Sequence, residues 1–225
     1  MTFSLAARDA SGAFGSVICS SSPAVAARCV HLREGAGAVH SQNVTDPRLG
    51  GRLLDLLEEG RTAAEALGTV LQEQPGHVMA WRQLVVVDAG GRTAIHSGDR
   101  ALGVVGRWEA GGAAAAGNML MTPDLPRRMV EAFEATSGDL EPRLHAALRA
   151  AVEAGGESGP VHSAGLAVVR AAGWRVTDLR VDWDDDPVDR LGVLLDLWLP
   201  QRDDYVLRAI DPASSPGYGV PGDDR

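Results

Sequence analysis

Lysine is absent from all 225 residues, so each of the 21 basic side chains is arginine. That absence removes whole reaction classes. Schiff-base catalysis, pyridoxal-phosphate attachment, P-loop phosphate binding and a Ser-Lys dyad all need a lysine amine. If the protein needs an amine base, the α-amine is what remains. Cysteine is nearly as scarce: Cys19 and Cys29 are too few for a disulfide scaffold, stand at no metal-ligand spacing, and read as buried thiols. Long apolar runs are missing as well. Leu84 to Val87 and Ala164 to Val169 fall far short of the ~20 residues of a spanning helix, so no membrane contact is expected. Positive charge is in deficit, and a net charge of -9 with a pI near 5.1 disfavours a nucleic-acid partner, which would require a concentrated basic patch. Met1 to Asp9 has neither a basic lead nor an extended apolar stretch, so it does not read as a secretory signal, and a cytoplasmic address is expected.

What is present suffices for one sizeable core, since 45% of the residues are hydrophobic. We expect one domain over residues 1–205. Residues 206–225 read as an irregular or mobile tail, since Asp211 to Arg225 is rich in Pro, Gly, Ser and Asp.

Along the chain, residues 2–7 and 15–21 read as a hairpin turning at Ser11-Gly12, and a third strand is expected over 35–43. Thr2 and Ser4 then share one face of the first strand, and Phe3 and Leu5 the other. Leu49, Leu53, Leu56 and Leu57 form a helical stripe ended by Gly60, and Thr62 to Glu65 makes a capping box for a helix to about Gln74. Strands follow at 84–88, 93–96 and 113–118. Two helices over 125–135 and 141–154 bury Met129, Val130 and Phe133, and Leu144, Leu148 and Val152. Strands return at 163–170 and 174–181. Asp186 then caps a last helix with Pro187 in its first turn and Leu191, Leu194, Leu195 and Trp198 on its buried face. Helical pairs between groups of antiparallel strands fit an α+β fold in which helices flank two packed sheets.

The amino terminus carries the first chemical candidate. Removal of Met1 leaves Thr2 with a free α-amine beside its own hydroxyl, and an α-amine titrates at about 7.7–8.0, close to working pH. The amine can therefore take the hydroxyl proton and later return it to a leaving group.

Several segments occur in order over residues 1 to about 200: Met1 to Asp9, Gly37 to Gln42, Asp46-Pro47, Leu54 to Gly60, Arg82-Gln83-Leu84, Ser97-Gly98, Gly117 to Leu120, Ser163-Ala164, Leu179 to Asp182 and Asp186-Pro187. In this the chain resembles the bacterial family called domain of unknown function 1028. The resemblance implies an N-terminal-nucleophile hydrolase, a four-layer αββα sandwich, and Thr2 as the nucleophile. The chain departs from the family in having Ser97-Gly98-Asp99 where relatives often carry Thr-Gly-Asp or Thr-Gly-Glu, Asp46 where Asn is usual, and Gly155-Gly156-Glu157 where relatives often have an Asp-containing Gly-Gly segment.

On that reading Asn118 and Gln42 join Thr2 as catalytic residues, donating to the developing oxyanion. Arg82 is a carboxylate clamp, and Ser4, Ser97, Asp99 and His40 are substrate contacts. Asn118 and Gln42 can equally be strand-end amides bonded to local backbone, and Arg82 a structural ion pair. The six histidines make no metal spacing, and most are expected at the surface or in turns; His40 and His96 lie on strands. The acidic run Asp182 to Asp186 is better explained by helix capping than by a cation. The expected activity is cleavage of a small amide without a cofactor or metal, in a chain that can form a homo-oligomer. A noncatalytic binding or assembly module and a self-compartmentalised peptidase are the competing expectations.

Overall fold

The computed structural model describes residues 1–223. Asp224 and Arg225, the end of the expected tail, lie outside the described residues. The fold is α+β, with two antiparallel sheets and eight helices among the described residues. The larger sheet has six strands, β1 (Thr2–Arg8), β2 (Phe14–Ser20), β7 (Gly106–Ala110), β8 (Ala113–Asn118), β9 (Ser163–Val169) and β10 (Arg175–Val181), in the order β10-β9-β2-β1-β8-β7. The smaller has four, β3 (Val30–Arg33), β4 (Gly37–Asn43), β5 (Arg82–Asp88) and β6 (Thr93–Ser97), in sequence order.

Strand alternation sorts the side chains of β1. Phe3, Leu5 and Ala7 enter a core with Met129, Val130 and Phe133 of α5 (Leu125–Ala135), Leu144 and Leu148 of α6 (Leu140–Glu153) and Leu191 of α7 (Pro187–Trp198). Burying a side chain such as Phe3 contributes roughly 2–3 kcal/mol. Ala6 points the other way and packs with Ala114 and Ala116 of β8 against Ala38, Val85 and Val87 of the smaller sheet. Small side chains at this contact let the two sheets approach closely, which explains an alanine-rich central strand despite the weak strand preference of alanine. The outer face of the smaller sheet, with Val39, Leu84 and Val86, is covered by α2 (Pro47–Glu58) and α3 (Ala63–Glu73) through Leu53, Leu56, Leu57, Ala66 and Val70.

The caps of α2 and α3 follow local chemistry: Asp46 accepts from the backbone N–H of Arg48, and Thr62 and Glu65 form a complete capping box. Asp186 departs from expectation. It occupies the N-cap of α7, yet its side chain makes no capping bond, and its own N–H donates to Asp184 Oδ1 at 2.9 Å. Val152 is exposed on α6, and Ala151 is the residue buried in its place.

Five further elements were not expected: α1 (Val25–Cys29), β3, α4 (Gly76–Met79), β7 and α8 (Arg202–Ile210). β7 is an edge strand whose Arg107, Trp108 and Glu109 are exposed, so it carries no alternating apolar signal. α8 runs past the expected domain edge at residue 205 and is anchored by charge. Glu141 of α6, fully buried, accepts from Arg202 at 3.1 Å, Arg170 at 2.7 Å and Thr177 at 2.9 Å. Beyond α8 the chain folds back, with Arg208 donating to the carbonyls of Pro216 and Gly217.

Candidate functional site

Register brings the polar residues of the two sheets together. In the larger sheet Thr2 lies opposite Asn118, and Ser4 opposite Ala116. In the smaller sheet Gln42 lies opposite Gln83, and Gln83 opposite Ser97. Where the sheets face each other, these residues form one buried layer of hydrogen bonds at the Thr2 end of the inter-sheet core.

The direction of each bond can be derived. Gln42 Nε2 approaches the carbonyl of Ala116 at 3.3 Å, and Gln83 Nε2 that of Gly117 at 3.1 Å, so neither amide can be turned without setting oxygen against oxygen. Gln42 Nε2 also donates to Gln83 Oε1 at 2.8 Å, and Asn118 Nδ2 donates to the same oxygen at 3.1 Å. Gln83 Nε2 donates to Ser97 Oγ at 2.9 Å. The Ser4 hydroxyl gives its proton to Gln42 Oε1 at 2.7 Å, so it must accept from His40 Nδ1 at 2.8 Å. His40 Nε2 is then the acceptor for Ser16 Oγ at 2.6 Å.

His40 is fully buried, and desolvation, assisted by the charge of His31, lowers its pKa from 6.5 to about 3. It is neutral throughout the physiological range. The linkage follows from that depression: its contribution to stability is complete above pH 6.5 and is lost as pH falls toward 3. The stability advantage of the native chain over His40→Gln is therefore expected to shrink by about 1.4 kcal/mol per pH unit below 6.5. Urea titrations of both proteins at several pH values measure it, and a constant difference would contradict the buried neutral imidazole.

At the head of β1, Thr2 is 5% exposed. Its hydroxyl donates to the carbonyl of Met1 at 2.5 Å and lies 3.4 Å from Ser20 Oγ, which donates to the same carbonyl. Ser20 Oγ is fixed in turn by the N–H of Ser22 at 3.1 Å. Beside these stands Glu157, in an isolated bridge opposite Leu120. Its Oε2 accepts from the N–H of Ser21 at 3.2 Å, and its Oε1 is buried with no partner. Desolvation pushes the Glu157 carboxyl up to about 7, opposed by the amino-terminal charge and the Ser21 bond. Burial likewise pushes the thiols of Cys19 and Cys29 up, so both are held as thiols.

The expected site residues divide accordingly. Thr2, Ser4, His40, Gln42, Ser97 and Asn118 are gathered in or beside one layer, joined by Gln83, which sequence reading passed over. Of the two amides expected to donate to the oxyanion, Gln42 spends both N–H donors on Gln83 and Ala116, whereas Asn118 Nδ2 donates to Gln83 alone and Asn118 Oδ1 is left without a donor. Arg82 stands apart, donating to the carbonyl of Val44. Asp99 is exposed on a separate cleft of about 540 Å³ with His77, His96 and Arg100, which touches the layer only through Ser97. Of the six histidines, His77 is exposed, His31, His96, His145 and His162 are partly exposed, and His40 is buried. Of the residues gathered here that sequence reading missed, Ser20 was an ordinary strand serine, whereas Glu157 lay in a segment that departs from the family pattern.

Two non-glycine residues adopt left-handed backbone at this end, Asn43 (φ 70°) and Met119 (φ 52°). Asn43 holds its turn by accepting from the N–H of Leu102 at 3.2 Å and donating to the carbonyl of Trp81 at 2.5 Å. No cluster of three or more His, Cys, Asp or Glu suited to a metal occurs among the described residues, nor a helix long and apolar enough to cross a membrane.

The family model described as "Family of unknown function (DUF1028)" matches residues 2–191. A crystal structure of a protein from Silicibacter pomeroyi carrying that family model is 29% identical, with a TM-score of 0.83 over 91% of this chain and 93% of that one. Anbu (ancestral beta-subunit) from Yersinia bercovieri is 11% identical with a TM-score of 0.39 over 88% of this chain and 97% of that one. Anbu from Hyphomicrobium sp. strain MC1 is 11% identical with a TM-score of 0.36 over 88% and 95%. No curated protein matches the chain.

Proposed function

The chain belongs to the family of unknown function DUF1028, and we propose that it is an N-terminal-nucleophile hydrolase that cleaves the carbon–nitrogen bond of a small amide. The observation that supports this is the carbonyl of Met1, which receives the hydroxyls of both Thr2 and Ser20. A carbonyl oxygen therefore fits between these two groups. After Met1 is removed, a substrate carbonyl takes that place.

In the proposed reaction Thr2 Oγ1 adds to the substrate carbonyl carbon, and the α-amine accepts the hydroxyl proton. The Ser20 hydroxyl donates to the oxyanion, the role expected of Asn118 and Gln42. The protonated amine then gives its proton to the leaving nitrogen, the carbon–nitrogen bond breaks, and an ester remains on Thr2. Water hydrolyses the ester, releasing the acid and restoring the hydroxyl. The Gln83 layer holds Asn118, and with it the end of β8 that pairs with Thr2. This chemistry calls for no cofactor.

The four-layer αββα architecture belongs to this reading, with α5–α7, the larger sheet, the smaller sheet and α2–α3 as the layers. So do a cytoplasmic address, a homo-oligomeric state, and the division into a domain over 1–205 and a tail. A noncatalytic module on the same fold is the second reading, favoured by the near-complete burial of Thr2 with Met1 in place.

Intact mass separates the two. Protein from a native-like host should lack Met1 and gain one acyl mass when incubated with an activated amide. An uncleaved N-terminal extension should abolish both the acyl mass and turnover. Equal activity with the extension in place would overturn the nucleophile reading.

A further inference from the structure

Two buried acceptors near the head of β1 have no donor: Oδ1 of Asn118, fully buried opposite Thr2, and Oε1 of Glu157, 4% exposed. A buried carboxylate oxygen and a buried amide oxygen left unbonded at one end of one strand call for a donor that arrives there. No lysine can reach in, because the chain has none. The amino-terminal charge already acts on Glu157 with Met1 in place, and the methyl of Met1 lies against the 157–159 turn, 3.6 Å from where a Cβ on Gly159 would stand.

Removing Met1 brings an ammonium with three N–H donors back to Thr2 itself. We propose that Glu157, assisted by Asn118 Oδ1, is the seat of the freed Thr2 α-amine: a positioning residue that holds the amine beside the hydroxyl it must deprotonate. This inference rests on the reading of Thr2 as the mature amino terminus. The ionisable neighbours of Glu157 are that amine from β1 and the Cys19 thiol from β2, whose own ionisation Glu157 further opposes. Burial pushes the Glu157 carboxyl up toward the range of an α-amine, so the two groups can share a proton.

The missing lysine makes the test direct, because the α-amine is the sole primary amine in the chain. Trace acetylation by acetic anhydride across pH 5 to 10, followed by hydroxylamine to clear the phenols of Tyr205 and Tyr218 and read by intact mass, therefore titrates the amino terminus. In protein beginning at Thr2, Glu157→Gln should lower the midpoint by about one pH unit, raising labelling at pH 7 roughly tenfold. The Gln side chain keeps the acceptor for Ser21. Without any variant, the midpoint of the folded chain should lie above that of the same chain in urea. Coincident midpoints in both comparisons, with Thr2-dependent turnover intact, would overturn the role of Glu157 and leave the nucleophile standing. Retention of Met1 on active protein would overturn both.

Discussion

Thr2→Ala is expected to lower turnover by at least about a thousandfold while changing stability by less than about 1 kcal/mol. The substitution deletes the attacking atom but keeps the α-amine, the β1 backbone and its pairing with Asn118. The bonds it removes, from Thr2 Oγ1 to the Met1 carbonyl and to Ser20, are at the open end of the strand. Loss of Met1 in the processed protein removes the first of these in any case. Thr2→Ser restores a hydroxyl at the same position and should return turnover to within about an order of magnitude, less the restriction the threonine methyl places on χ1. Ser20→Ala, which deletes the proposed oxyanion donor together with the acceptor for the Ser22 N–H, should cost about a hundredfold or more in kcat. Turnover on a panel of small amides, with urea melts alongside, reads these outcomes. Activity surviving in Thr2→Ala would exclude the mechanism.

Gln83→Ala is expected to cost the fold about 3–5 kcal/mol, as much as truncating a large core side chain. Gln83 Oε1 accepts from both Gln42 and Asn118, and its Nε2 donates to Ser97 and to the carbonyl of Gly117. Truncation leaves two buried amides short of an acceptor and opens a void between the sheets. A domain of this size has a stability of only about 5–15 kcal/mol, so the variant would sit near its unfolding threshold at 37 °C. Equilibrium urea unfolding at pH 7 measures the loss. A cost below about 1 kcal/mol would show that the layer does not bind the sheets together.

Much of the secondary structure could be read from nearest neighbours in the chain. The alternation in Thr2-Phe3-Ser4-Leu5 placed Thr2 and Ser4 on one face, as found, because side chains of a strand alternate whatever they meet. The capping box at Thr62 and the proline in the first turn of α2, α5 and α7 are local devices, complete within a few residues. β7 and α8 escaped for the converse reason: β7 is defined by pairing with β8, and α8 by the ion pairs of Arg202 with residues about sixty positions earlier. Asp186 took the expected N-cap position without the expected bond: Asp184 accepts its N–H, and its own side chain caps no first-turn N–H.

At the candidate site the division is sharper. Composition alone established that no lysine amine takes part and that the α-amine is the one primary amine the chain offers, since a missing residue type cannot be supplied by folding. The identity of Thr2, Ser4, Gln42 and Asn118 was open to inspection along the chain. Which atom of each remained available was not. A glutamine in a strand presents a donor and an acceptor with equal readiness, and only the carbonyls of Ala116 and Gly117 across the gap choose between them. Gln83 became the hub, Asn118 one of its donors and Glu157 a buried carboxyl through contacts between residues tens to more than a hundred positions apart. Hydrogen bonding and burial depend on distance in space, and that distance exists only once the two sheets have packed.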